Sequence, residues 1–385
     1  MTANMESSLI IRNVRRAYVA NVITQFGTSL AFIPLGEYLG NRFGMGEGFA
    51  ILLILMSIPA VILARPYAWL ATRFSAPTVI QVSETLACLA TLGAFAFYKL
   101  GVFYGFVLCV GLSFCASGAL TALFPSILNL IAANDSHAQN HFSRWFISRQ
   151  AVLIVSRVVG GYLQPVLDLS VFLLLDAVTY LSAFAIWRTL KFPSIPIEPP
   201  GEIVKTTRWF HFANLVNILR GAAYGIMNPM LAFMTLQRLS GTSAQLGNLY
   251  LALGLTSIVG AQVVSRIPAT STLLLLGLLG EFTLMLLGFS SSSFPAFLIL
   301  MSLGVAIMPI SEVVVQTLFL RSGSRSESHN LSTTFYASQN LANLVGYAAY
   351  ALLGKAASMG EICVVLGALG GMSAVVTVVK RGRDK

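Results

Sequence analysis

A chain of 385 residues that is 56% hydrophobic and only 10% charged, with a mean hydropathy of +0.79, is far too apolar for a water-soluble fold. Soluble domains carry about a quarter of their residues as Asp, Glu, Lys and Arg. The formal charge of +10 has no soluble domain on which a basic face could form, so it does not point to nucleic acid. The composition describes an all-α polytopic membrane protein, in which lipid is the solvent to be satisfied.

In chain order, residues 1–16 are mixed and polar and show no cleavage-site pattern, so no secretory signal is expected. Apolar stretches of spanning length then begin near Ala17, Gly48, Thr78, Val102, Phe142 and Val171. A second set begins near Phe212, Gln245, Thr272, Ser293, Leu331 and Ile362, which makes twelve transmembrane helices. With the N-terminus inside, the outer loops hold only Arg42, Lys99, Arg238 and Lys355, while most other Lys and Arg fall in inner segments. The positive-inside rule therefore places both termini in the cytoplasm. Short loops favour a bacterial inner membrane. Cys88, Cys109, Cys115 and Cys363 all lie within apolar helices and read as small buried hydrophobes, not as disulfide partners.

The longest polar segment, residues 189–208, is rich in proline and mixed charge and reads as a cytoplasmic linker. It divides the chain into an N-terminal six-helix bundle, 1–188, and a C-terminal one, 209–385. A weak internal repeat agrees with that division. The segment from Asn140 to Ser148 can be laid over that from Asn330 to Ser338, and Asn13–Arg16 over Asn217–Arg220. Each first copy precedes or opens a helix with small residues, Gly160 and Gly161 in one half and Gly346 in the other. Two parallel six-helix repeats are an architecture that places a substrate site near the membrane midplane.

Four stretches carry a family likeness: Trp69–Ser75, Phe124–Ile131, Gly160–Tyr180 and Gln316–Arg321. On these the chain resembles the major facilitator superfamily, nearest its drug- and siderophore-exporter (enterobactin-exporter-like) branch. The resemblance implies two six-helix bundles that expose a central site alternately to each side. Departures accompany it. The loop motif keeps Leu70, Ala71 and Arg73, but Thr72 stands in place of its acid and Ala68 in place of its glycine. In span five Ser156-Arg157 stands where exporters often have Gly-Pro, although Gly160 and Gly161 remain.

Ionisable groups inside lipid cost several kcal/mol, roughly 2.5–3.5 even on insertion scales, so each requires a partner or a purpose. Arg149 and Arg157 on span five lie two turns apart and suit bidentate recognition of a carboxylate or phosphate; the competing reading is a structural ion pair. Glu312 on span ten is the candidate for proton coupling, since a desolvated carboxyl can alternate between protonated and charged states. Its competing reading is a permanent pair with Arg321 or Arg149. Glu37, near the outer end of span one, is a second proton candidate or a water-interface residue. Glu84 could support the Arg73 gating loop in place of the missing acid at Thr72. Glu84, Asp176 and Glu281 otherwise read as structural.

On the helices that the resemblance turns toward the cavity, Asn21, Gln25, Asn228, Gln339, Asn340 and Asn343 are candidate polar contacts to substrate. Phe26, Phe124 and Tyr224 could stack on its rings. Interhelical hydrogen bonding is the plain alternative for most of these. Arg220 marks the cytoplasmic start of span seven if it matches Arg16, and is intramembrane if the span begins near Phe212. His137 and His141 have a metal-compatible spacing but no third ligand, so no metal or cofactor is expected. No phosphate-binding loop or nucleophile elbow occurs, and the chain is read as no enzyme. The expectation is a monomeric secondary transporter whose partners are a small molecule, protons and the bilayer. It would carry out proton-driven antiport of a siderophore-like carboxylate or a drug. Uptake by the same fold is the alternative, with a membrane enzyme or lipid flippase behind it.

Overall fold

A computed structural model describes residues 2–129, 135–190, 211–264, 267, 270–320, 328–354 and 358–383. All elements among these residues are helical. They are α1 (Thr2–Leu30), α2 (Phe32–Phe43), α3 (Met45–Ile58), a π turn (Pro59–Leu63), α4 (Ala64–Phe74), α5 (Ala76–Lys99), α6 (Phe103–Asn129), α7 (Asp135–Leu163) and α8 (Leu169–Arg188). Then follow α9 (Phe212–Ala232), a second π turn (Phe233–Arg238), α10 (Ser243–Val264), α11 (Ser271–Phe289), α12 (Phe294–Leu320), α13 (Ser328–Leu353) and α14 (Met359–Arg383). Joined end to end where only a kink intervenes, these form twelve rods of membrane-spanning length.

Among the described residues, nine helices are long and apolar enough to cross a membrane by length and composition. Three further rods, α7, α9 and α13, are of comparable length and carry polar residues in their middle turns. They carry Arg149 and Arg157, Arg220 and Asn228, and Gln339, Asn340 and Asn343, respectively. Helix α7 also starts at Asp135, two turns before the apolar stretch that first marks it. Hydropathy reports only the lipid-facing part of a helix, and these three spend their polar residues within the protein.

Lipid as solvent shows in the inverted faces of single helices. On α5, Val82, Leu86 and Leu89 are exposed, while Ser83, Glu84 and Thr91 are buried. On α8, Leu174, Val178 and Leu181 point outward and Asp176 and Tyr180 inward. A soluble helix would reverse both arrangements.

The kinks have a shared cause. Pro34 cannot donate to the Leu30 carbonyl, and the rod breaks at Ala31 between α1 and α2. Gly160 of α7 meets that carbonyl: a Cβ placed there would lie 2.3 Å from it. Pro59 opens the first π turn, and a Cβ on Gly118 of α6 would fall 2.3 Å from its ring. Prolines bend the rods, and glycines of neighbouring helices fill the bends.

The chain divides into two compact units. The first contains Met1–Leu35 and Leu55–Gly201, and the second Gly36–Ile54 and Glu202–Lys385. In the first, α1 packs on α7 and α8, and α5 on α6 and α8. Its core gathers Tyr67, Ile80, Leu120, Leu123, Phe124 and Trp187. In the second, α9 packs on α13 and α14, and α11 on α12 and α14. The same scheme therefore recurs in both units. Segment 36–54 falls in the second unit, across the division expected from the linker. There Gly46 fits against Tyr350 of α13, leaving only 2.3 Å between a would-be Cβ and its hydroxyl.

Candidate functional site

In the first unit, α7 presents Arg149 and Arg157 on turns two apart, both half-buried. The Arg157 guanidinium lies 4.3 Å above the Phe32 ring centroid, a cation–π contact that orients its planar fork. Arg149 and Arg157 are near enough to act electrostatically on one another. Ser156 turns its hydroxyl back onto the Val152 carbonyl at 2.7 Å, and α7 continues unbroken through Ser156 and Arg157. Asn21 is buried on α1 with an amide nitrogen that has no hydrogen-bond partner among the described residues. Gln25 and Phe26 on the same helix are half-buried.

Two expectations in this unit require correction. Phe124 is fully buried, edge-on to Tyr18 at 5.5 Å and to Trp187 at 6.4 Å between centroids. It is a core residue and has no face left for a substrate ring. Glu84 does not serve the Arg73 loop. Both its carboxylate oxygens accept from the Thr24 hydroxyl of α1, at 3.2 and 3.1 Å. Arg73 is exposed and stacks on Trp69 at 4.5 Å. The connection to α5 is made by Ser75 with φ of 68°, a tight left-handed residue followed by Pro77. Asp176 bonds Thr28 at 3.2 Å, one turn beyond Thr24 on α1. The side chains of Thr72, His137 and His141 lie outside the described residues.

The second unit contains a charged centre that the sequence did not assemble. Helix α9 begins at Phe212, so Arg220 lies within the helix and not at its start, and it is fully buried. Its Nη2 lies 3.7 Å from Oε2 of Glu281 on α11 and 3.4 Å from the Tyr224 hydroxyl. Tyr224 donates to Oε1 of Glu281, and Ser311 of α12 donates to Oε2. Tyr224 is therefore tied into this centre, which corrects its reading as a free stacking ring. Glu312, next to Ser311 and half-buried, acts electrostatically on Arg220, Tyr224 and Glu281. Within this unit the cation it acts on is Arg220, and Arg321 lies outside the described residues. The signal for this centre was present as three separate intramembrane charges; nothing in their spacing connected them.

Around this centre, α9 and α13 are joined by polar contacts. Asn217 donates to the Phe335 carbonyl at 3.0 Å and to Ser338 at 3.3 Å, and Ser338 donates to Asn214 at 2.7 Å. Asn217 and Ser338 are two of the repeat residues, and here they meet. Asn228 donates to the Tyr347 hydroxyl at 3.3 Å. Asn343 turns toward Gly221 of α9, with a buried Oδ1 that has no hydrogen-bond partner among the described residues. Gln339 and Asn340 are half-buried on α13. Glu37, half-buried, bonds Ser243 at the start of α10, and its Oε1 is buried.

No family model matches the chain, and no curated protein does. Solved structures do. A nucleoside transporter, NupG, superimposes with a TM-score of 0.73 at 12% identity, over 97% of this chain and 99% of that one. A bacterial homolog of the human lysosomal transporter Spinster, inward-facing and unoccupied, gives 0.69 at 14% identity over 96% and 94%. The human organic anion transporter MFSD10 gives 0.66 at 14% over 96% and 99%. At these identities the likeness concerns the path of the backbone, along nearly the whole of each chain. The chain has the all-α, polytopic fold of the major facilitator transporters.

Proposed function

We propose that this protein is a secondary active transporter that exports a small organic carboxylate, siderophore-like in class, driven by the inward movement of protons down their gradient. The observation that carries this reading is the pair Arg149 and Arg157, two guanidinium groups on one membrane helix within electrostatic reach of each other. Like charges in low dielectric repel strongly, and an anionic ligand would relieve that repulsion while using the bidentate geometry of each fork. Gln25, Phe26, Gln339 and Asn340, all half-buried, are the uncharged contacts assigned to the substrate. The neighbouring folds include an organic anion transporter, which is compatible with that charge preference. The two six-helix halves, 1–188 and 209–385, would rock about a central site, joined by the 189–208 linker. The protein would act as a monomer in a bacterial inner membrane, with both termini cytoplasmic.

Proteoliposomes of known orientation test this. A carboxylate probe should move when a proton gradient is applied, and Arg157→Ala should reduce that flux by ten-fold or more, on the order of 1.4 kcal/mol. Movement of cationic dyes with unchanged rates in Arg157→Ala would overturn the carboxylate assignment. Uptake is favoured by Ser156-Arg157 standing in the exporter motif, and it would appear as flux along the proton gradient instead of against it.

A further inference from the structure

In the first unit α1 and α8 pack side by side. Near the arginine-bearing ends of their membrane stretches lies a groove of about 310 Å³, lined by Arg16, Val19, Ala185, Ile186 and Thr189. That is the small end of the range for ligand clefts, which begins at about 300 Å³. The groove has two zones. Val19, Ala185 and Ile186 form an apolar floor, and they belong to the membrane-crossing stretches Arg15–Phe43 and Leu169–Arg188. The rim is cationic. Arg15 and Arg16 lie four and three residues before Val19, on the same face of α1, and Arg188 lies three after Ala185, on the same face of α8. All three arginines are exposed.

Their charge is not met from within the protein. Among the described residues none of the three makes an ion pair or a hydrogen bond. From Arg15 to its end α1 has no acid. On α8 the acid is Asp176, about 18 Å along the helix from Arg188 and bonded to Thr28. The last carbonyls of α8 are occupied as well. That of Trp187 accepts from Gln81 at 3.0 Å, and that of Ile186 accepts from the Thr189 hydroxyl at 2.7 Å. At the corresponding junction of the second unit, α9 with α14, Lys380 lies over the Phe212 ring at 5.9 Å, so the cation there already has a partner.

Three guanidinium groups above an apolar floor at membrane depth select one kind of ligand. Phosphate suits the guanidinium fork. A free phosphate would leave the floor uncovered, and a zwitterionic head group would bring an ammonium that finds no acid here. We propose that the groove binds one anionic phospholipid. Its phosphate sits on Arg16, flanked by Arg15 and Arg188, and the first carbons of an acyl chain run along Val19, Ala185 and Ile186. Basic pockets between membrane helices hold anionic head groups by this combination. The bound lipid bridges α1 and α8.

The test needs no transported solute. Purified full-length protein, stripped of its own lipid in detergent, is given phosphatidylglycerol, and the bound molecules are counted by native mass spectrometry. One phosphatidylglycerol should be held tightly, with phosphatidylcholine weaker by about ten-fold or more. Arg16→Gln with Arg188→Gln should weaken the phosphatidylglycerol by about ten-fold or more, whereas Lys380→Gln in the second unit should leave it unchanged. Ala185→Trp fills the floor without altering charge, and it should also weaken the lipid. Millimolar inorganic phosphate should not displace it. Equal affinity for phosphatidylcholine, or unchanged binding in either the double arginine variant or Ala185→Trp, overturns the site. So does displacement by inorganic phosphate, which would make the groove a plain anion site.

Discussion

A close helix contact in the second unit offers a sharp test of the packing. A Cβ on Gly225 of α9 would lie 2.3 Å from the Asn343 carbonyl oxygen and 2.8 Å from the Gly346 Cα, both backbone atoms of α13. Contact with the carbonyl falls short of van der Waals distance by roughly 1 Å, and backbone cannot rotate aside as a side chain can. In Gly225→Ala the two helices must part by about that distance. Overpacking of this kind costs about 1–3 kcal/mol. A 1 Å separation would also stretch the Asn217–Phe335 bond from 3.0 Å and the Asn228–Tyr347 bond from 3.3 Å beyond hydrogen-bond range. Each lost bond adds about 1 kcal/mol. Against this stands a gain of about 1 kcal/mol in helix propensity, so the net expectation is a loss of about 2–4 kcal/mol.

Gly371 of α14 supplies the control, because nothing lies within 4 Å of a Cβ there. Gly371→Ala should show only the propensity gain. Thermal unfolding in detergent can be followed with a thiol-reactive fluorophore, since Cys88, Cys109, Cys115 and Cys363 are all free and only partly buried. Gly225→Ala should unfold at a clearly lower temperature than wild type, and Gly371→Ala at the same temperature or higher. Equal midpoints for the two variants would refute the close approach of α9 and α13.

Two further outcomes are expected. Asn217→Leu should cost about 1–3 kcal/mol by removing the buried amide that donates to the Phe335 carbonyl and to Ser338; combined with Ser338→Ala its effect should be non-additive, and simple additivity would show that the two do not interact. Asp168 caps α8 outside the membrane, and the Ser170 hydroxyl, followed by Tyr98 and Lys99, holds its carboxyl below the usual carboxylate range. A depressed folded-state value means that its contribution is full above pH ~4 and fades as pH falls further. Asp168→Ala should therefore lose about 1 kcal/mol of capping at neutral pH and little in acid; a wild-type-to-variant difference in unfolding temperature that does not change with pH would contradict this. The exposed Lys99–Asp168 ion pair adds little of its own.

The helical membrane character, the twelve rods and the approximate spans were legible because the interior of a bilayer imposes length and hydropathy on every crossing segment. The repeat was legible through Asn217 and Ser338, since the same packing problem recurs in both halves. Hydropathy could not place the polar starts of α7 and α13, where helix continues past the apolar stretch. Nor could it tell Phe124, closed off by Tyr18 and Trp187, from an aromatic ring facing a cavity. The Arg220–Tyr224–Glu281–Ser311 centre was hidden for the same reason: its members come from α9, α11 and α12, separated by 57 residues between Tyr224 and Glu281 alone. A lone charge in a lipid span announces that it needs a partner. Which partner it finds is decided by the rotation of each helix about its axis, and that is set by side-chain packing between helices, which only the folded structure contains.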